Sequence, residues 1–302
     1  MIPQFPHFEK LSLTHKHEIE QYVAKFPPYS DFNFTSLWTY NTDDLIEVSL
    51  LNENLVVKFS DYMTLRPFYS FLGVSKIQKT INSLFEQAKN KKMDTHLKLI
   101  PEIVITSNLS LQKSYLISED LDNNDYIVST EEVMTLPHHK YRTKMQQVAQ
   151  FKKLYPEHTI RLLNLNDGVE QQMILNLFSI WEKNANKDKK DTENELSAIK
   201  RLLTSISLFQ SYCLGIFYNK KLIGFTIFEM THDSHGIYSF QKADRKFKGI
   251  FTFMCHEVAK ELHKMGSKFI NYEQDLGITG LRTAKSLWKP VHHLKKYIIR
   301  RK

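Results

Sequence analysis

Glu273, Gln274 and Asp275 stand in three consecutive positions of NYEQDLGITGLRTAKSLWKP (residues 271–290), and Arg282, Lys285 and Lys289 follow along a helix-like spacing. Two nearby carboxylates can hold different proton affinities, so that one serves as a base while its neighbour stays ionised. While the strand that ends here keeps its alternation, Glu273 and Asp275 share one side, with Tyr272 and Gln274 opposite. A structural loop offers plainer roles: Asp275 caps a helix that begins near Thr279, and Glu273 pairs with Arg282 or Lys285. Lys242 and Asp244, in SFQKAD, end a neighbouring strand and are expected across the same cleft. The histidine pairs His138-His139 and His292-His293 are not expected to bind metal. Adjacent histidines on a helix or strand point apart, and no cysteine or carboxylate stands at ligand spacing.

The elements that must position these residues are legible along the chain. An amphipathic pattern over Leu13 to Phe26 stops at Pro27-Pro28, and two strand-like runs flank an Asn-Glu-Asn turn at 52–54 as a hairpin. Ile77 to Lys89 reads as a helix, HLKLIPEIVI as a strand, Leu109 to Ile117 as a helix, and DNNDYIVS as a turn and strand. Residues 138–155 form a helix pattern without an acidic residue. HTIRLLNL reads as a strand and Val169 to Asn184 as a helix. NANKDKKDTENE (184–195) is a charged loop, and Thr192 with Glu195 makes a capping box for a helix over Leu196 to Ser207. The remainder reads strand, tight turn at Asn219 to Lys221, strand, strand, helix ended by Gly266, strand, short helix, and a final strand HHLKKYII.

The bulk composition bounds the function classes. A chain of 302 residues with 42% hydrophobic and 12% aromatic content fills real cores. No cleavable signal opens it, and no stretch approaches the roughly 18 apolar residues of a membrane span, so a soluble cytoplasmic protein is expected. Cys213 and Cys255 sit among apolar neighbours and are expected to be inert core residues. The charge is uneven: residues 1–130 carry 12 Lys and Arg against 16 Asp and Glu, whereas residues 131–302 carry 29 against 17. From Arg282 onward there are eight basic side chains and no acidic one. The second half is therefore expected to meet a polyanion or an anionic surface.

The element order of the second half is that of the GCN5-related acetyltransferase fold, and the first half can be read as a looser copy. In that fold a pyrophosphate-binding loop follows the fourth strand, and the amides at the next helix N-terminus hold the anion. The equivalent stretch here is RKFKGIFTF, so Gly249 and Lys248 are the candidate cofactor-binding residues. Phe251 takes the place of a second small residue and would hinder a pyrophosphate, which weakens the case for coenzyme A.

Several stretches together resemble the family related to the C-terminal domain of phosphatidylglycerol lysyltransferase: FPPYSDFNFTSLWTY, LKLIPE, DNNDYIVS, the basic helix after LPHHKYRTK, and above all NYEQDLGITGLRTAKSLWKPVHHLKKY. The resemblance spans about Phe26 to Tyr297. It implies an α+β fold of two tandem acetyltransferase-like (GNAT) domains, each a mixed, mostly antiparallel sheet flanked by helices. We place them at 1–135 and 136–302, the second carrying the site. It also implies transfer of an amino acid from aminoacyl-tRNA onto a lipid headgroup or another hydroxyl or amine acceptor, as related Fem-type enzymes extend peptidoglycan precursors. Carried over position by position, Glu273, Asp275 and Lys242 take the catalytic roles. Asn271, Gln274, Asp244, Arg282, Lys285, Lys140, Arg142 and Lys144 bind substrate, although the family's usual Arg-Asn pair reads Lys144-Met145 here. Lysyltransferases proper carry many membrane spans before this region, and this chain has none, so peripheral contact with the inner membrane face is the form an anionic lipid partner would take. The alternatives are a coenzyme A-dependent N-acyltransferase and a non-catalytic binding protein that keeps the fold.

Overall fold

The structure, a computed structural model, describes residues 1–61, 66–184 and 189–302, without the side chains of 189 and 190. The early elements are β1 (Glu9–Lys10), α1 (Lys16–Val23), α2 (Phe34–Thr39), β2 (Glu47–Leu51), β3 (Asn54–Ser60), β4 (Pro67–Leu72), α3 (Ile77–Asn90), β5 (Leu97–Pro101), α4 (Glu102–Thr106), α5 (Leu111–Ser114), β6 (Tyr115–Glu119) and β7 (Asp125–Ser129). There follow α6 (Thr130–Thr135), α7 (His138–Leu154), β8 (Thr159–Leu163), α8 (Gly168–Asn184), α9 (Lys189–Thr204), β9 (Ser211–Tyr218), β10 (Lys221–Met230), β11 (His235–Ala243) and α10 (Ile250–Lys264). The chain closes with β12 (Phe269–Asn271), α11 (Thr279–Ser286), β13 (His292–Leu294) and β14 (Lys296–Arg301).

Two compact units form, and neither is one uninterrupted piece of chain. The first comprises 1–126, 274–283 and 293–302, and the second 127–273 and 284–292. The expected cut at 135/136 runs once along the sequence. The compact units exchange segments instead, because the strands that finish each sheet come from the other end of the chain.

In the first unit, β1-β2-β3-β4 make an antiparallel sheet and β5-β14-β6 a second. The β2–β3 turn places Asn52 and Glu53 at φ of 51° and 66°, the left-handed pair of a tight hairpin, as the Asn-Glu-Asn run predicts. Ile77, Ile81, Leu84, Phe85 and Ala88 of α3 recur at helical spacing and bury one face in a core shared with Phe71, Leu97, Ile100 and Ile299. Two expectations shift here. The strand over HLKLIPEIVI stops at Pro101 and continues as α4, with the Glu102 amide donating to Lys295 O rather than to a ladder. The helix over Leu109 to Ile117 shrinks to α5, because Leu116 to Glu119 pair with β14.

In the second unit, the sheet runs β13-β7-β12-β11-β10-β9-β8. β11 and β12 are parallel, and their register covers just three pairs, ending at Ile237 and Asn271. Beyond that point the two strands part. β10 carries α10 on one face, where a Cβ at Gly224 would meet Met254 Sδ at 2.6 Å. The extra residue Ser239 of β11 then turns Gln241 toward Thr226 and α10, and Lys242 toward α8. Asn219 and Lys220 form the expected tight turn at φ of 49° and 61°. Part of the charged loop at 184–195 lies outside the described residues. Its later half is helical, so the Thr192–Glu195 capping box is not formed: both residues sit inside α9. The strand read over HHLKKYII is two strands in two sheets, divided at Lys295.

Candidate functional site

The acidic run does not sit in a strand. β12 ends at Asn271, whose buried side chain accepts the Glu273 amide at 2.7 Å and turns the chain. Glu273 then takes a left-handed backbone (φ 58°), which ends the alternation that would have set Glu273 and Asp275 side by side. Glu273 is half-buried.

Asp275 is fully buried and saturated in the first unit. It accepts from Arg282 Nε and Nη2, each at 2.8 Å, from the Tyr126 hydroxyl at 2.5 Å and from the Gly277 amide at 2.8 Å. Burial alone would favour the neutral acid, but these donors outweigh it and hold the carboxyl below its ordinary range. Arg282 reaches on to Asp122 at 2.6 Å. The pairing expected of Glu273 with Arg282 thus belongs to Asp275, and Asp275 closes a turn at Gly277 rather than capping α11. Gln274 accepts from Ser30 Oγ at 2.8 Å and lies 3.4 Å from Asp31. The Ser30 backbone amide donates to Asp125 at 2.8 Å, and the Lys296 ammonium, fully buried, bridges Asp31 and Asp125. Burial and Asp125 push the Asp31 carboxyl up, whereas the two carboxylates outweigh burial and hold Lys296 above its ordinary value. Sequence reasoning missed this buried triad. Its signal was a lone acid among the aromatics of YSDFNF and a lysine opening the strand KYIIRR.

In the second unit the parting of β11 and β12 gathers a different set. The Cys255 thiol of α10 contacts the Tyr272 hydroxyl and Gln241, and Tyr238 donates to Cys255 O at 3.2 Å. Lys144, on α7, lies 4.3 Å from the Trp288 ring. Lys285 donates to Tyr272 O, and α7 is broken at Tyr141, whose hydroxyl donates to Trp288 O at 2.8 Å. Burial raises the Cys255 thiol despite its two hydrogen bonds, so it is a neutral, inert group, as expected of both free cysteines.

The remaining candidates are placed as follows. Lys140 pairs with Glu132, and Arg142 is exposed. Lys242 is buried against Glu195 at 2.7 Å, over the Trp181 ring, on the face away from Gln241. The expectation that Lys242 ends its strand in the same cleft fails on the bulge at Ser239. Asp244 accepts the Lys246 amide at 3.1 Å, a turn contact. Gly249 has φ 80°, and a Cβ there would meet Gln147 O of α7 at 2.7 Å. Its glycine is required by the close approach of that helix. The Lys246, Phe247, Lys248 and Ile250 amides are taken by Asp244 Oδ1, Asp244 O, Tyr155 Oη and Phe247 O. A pyrophosphate at Gly249 and Lys248 would have to displace them.

The fold is that of tandem acetyltransferase-like proteins. A tandem GNAT protein from the clavulanic acid biosynthesis pathway superposes with a TM-score of 0.52 over 98% of each chain at 8% identity. The sequence pattern of the phosphatidylglycerol lysyltransferase C-terminal family matches residues 24–300, and the chain belongs to that family. A conserved protein of unknown function from Bacteroides thetaiotaomicron is 24% identical, with a TM-score of 0.86 and full coverage of both chains. L-PGS from Bacillus licheniformis is 11% identical, with a TM-score of 0.63 over 100% of this chain and 94% of its own. No curated protein matches. Among the described residues no helix is long and apolar enough to cross a membrane, and no group of three or more His, Cys, Asp or Glu could hold a metal.

Proposed function

We propose that this protein transfers an aminoacyl group from aminoacyl-tRNA to a hydroxyl or amine acceptor, a lipid headgroup being the acceptor its family name suggests. The observation that carries the reading over coenzyme A chemistry is the loop before α10. The Lys246, Phe247, Lys248 and Ile250 amides are satisfied within the protein, and α7 fills the space a Cβ at Gly249 would need. The basic balance of residues 131–302 supports a polyanionic donor, since phosphate contacts dominate nucleic-acid affinity. Arg142 is exposed for such contact, whereas Arg282 and Lys285 commit donors to Asp275, Asp122 and Tyr272 O. Glu273 remains the carboxylate proposed for substrate, because Asp275 has every lone pair engaged. The test is binding of aminoacyl-tRNA, uncharged tRNA and acetyl-CoA side by side, by calorimetry. Tighter binding of the charged tRNA is expected; saturable binding of acetyl-CoA with neither tRNA bound would overturn the reading.

A further inference from the structure

Most lysines of the second unit with a described polar contact have an oxygen to hold them. Lys140 has Glu132, Lys242 has Glu195, Lys260 has Glu257, Lys264 has Glu261 and Lys285 has Tyr272 O. Lys144 is held differently. It is half-buried, and among the described residues its contact is the face of Trp288 at 4.3 Å. The groups around it come from every element packed there. The Cys255 thiol of α10 is joined to the Tyr272 phenol beyond β12 and to Gln241 of β11, and Tyr238 of β11 lies behind Cys255. Trp288 follows α11, and the Lys285 ammonium stands 6.0 Å from the Tyr272 ring. On α7 itself Lys140 is neutralised by Glu132. No carboxylate among these groups faces Lys144 directly.

We propose that the Lys144 amine accepts the proton of the incoming acceptor during aminoacyl transfer. This rests on the function proposed above. The acceptor's N or O lone pair attacks the ester carbonyl, its proton passes to the neutral Lys144 nitrogen, and the new C–N or C–O bond forms. The bond to the ribose oxygen of the tRNA then breaks, and the Lys144 ammonium returns the proton to that oxygen, so the amine ends as it began. Such a role is helped by a lysine whose charged form is disfavoured, which desolvation without a counter-ion brings about. Burial draws the Lys144 ammonium below the ordinary lysine value. The Trp288 face favours the charged form, but less than a paired carboxylate would. The contrast with a phosphate-binding lysine is direct, since that role needs only the charge.

The experiment has two arms on the full chain. In the first, wild-type protein is labelled with trace acetic anhydride across pH and the acetylated peptides are quantified by mass spectrometry. Lys144 is expected to reach its plateau at lower pH than the exposed Lys246 and Lys248, and co-titration with them overturns the proposal. In the second, Lys144→Arg and Lys144→Met are compared for transfer from aminoacyl-tRNA. Both should lose about 100-fold or more in kcat with the KM for the donor held, because Arg keeps the charge but accepts no proton. Wild-type turnover in Lys144→Arg overturns the proposal in favour of a charge-only contact. If wild-type protein transfers from no aminoacyl-tRNA, the proposed function falls and proton acceptance in that transfer falls with it; the labelling arm then still reports the state of the amine.

Discussion

Lys296 in the first unit and Lys144 in the second are both withdrawn from water, and their surroundings differ by two carboxylates. Lys296 bridges Asp31 and Asp125, with Ser30 and Gln274 satisfying what remains. Lys144 has an aromatic ring and a thiol near it and, among the described residues, no carboxylate paired with it. The same desolvation therefore acts on both amines, and only in the first is it outweighed. A buried lysine with counter-ions is a strut, because moving its proton would leave charges unpaired. A buried lysine without them gives up its proton more readily.

The largest expected effect breaks the first half of that contrast. Lys296→Met leaves two carboxylates buried without their cation and should cost about 3–5 kcal/mol in urea unfolding. Adding Asp31→Asn and Asp125→Asn should recover part of it, and a single variant as stable as wild type would remove the strut. Next comes Asp275→Asn, which orphans donors from Arg282 and should cost roughly 1–3 kcal/mol. That deficit should shrink on acidification. The folded carboxyl titrates below its unfolded value of about 3.9, so its stabilisation is full above that value and drains as pH falls through the folded one. Urea midpoints of both proteins from pH 7 down to pH 3 decide it. Glu273→Gln separates the two acids of the run: stability should stay within about 0.5 kcal/mol, while turnover falls about 100-fold. A loss of turnover that tracks unfolding would defeat the catalytic assignment.

Smaller again is Lys144→Met, expected within about 1 kcal/mol of wild type at neutral pH. Wild type should gain on the variant as pH rises toward about 10.4, because the unfolded chain binds the extra proton in that window. A flat difference would mean that Lys144 titrates normally. Least of all in stability, Arg142→Ala should leave the melting temperature alone and lower the salt slope of tRNA binding by about one phosphate contact.

The fold was legible where local chemistry and tertiary demand agree. Asn52-Glu53 and Asn219-Lys220 mark hairpins because their backbone conformation is a local matter, and α3 and α10 show their buried faces by period alone. HHLKKYII was opaque for a physical reason: one strand-like run does not say that its first three residues join one sheet and the rest another. Of the candidate site, the sequence singled out the segment but not the contacts within it. Alternation fails where Asn271 captures the next amide but one, and one bulged serine is enough to turn Lys242 away from α10. Gln241, Tyr272 and Cys255 carried no signal because each is an ordinary core or strand residue until the sheet opens beside it.

The exchange of segments between the units has a consequence for biosynthesis. β14, the middle strand of the β5-β14-β6 sheet, is residues 296–301, and it carries the lysine that neutralises Asp31 and Asp125. Nascent domains usually close in the order in which they leave the ribosome. Here the earlier-made part of the first unit lacks its middle strand and the lysine that neutralises its two acids until 296–301 are made, so the half that is translated earlier is the last to be finished.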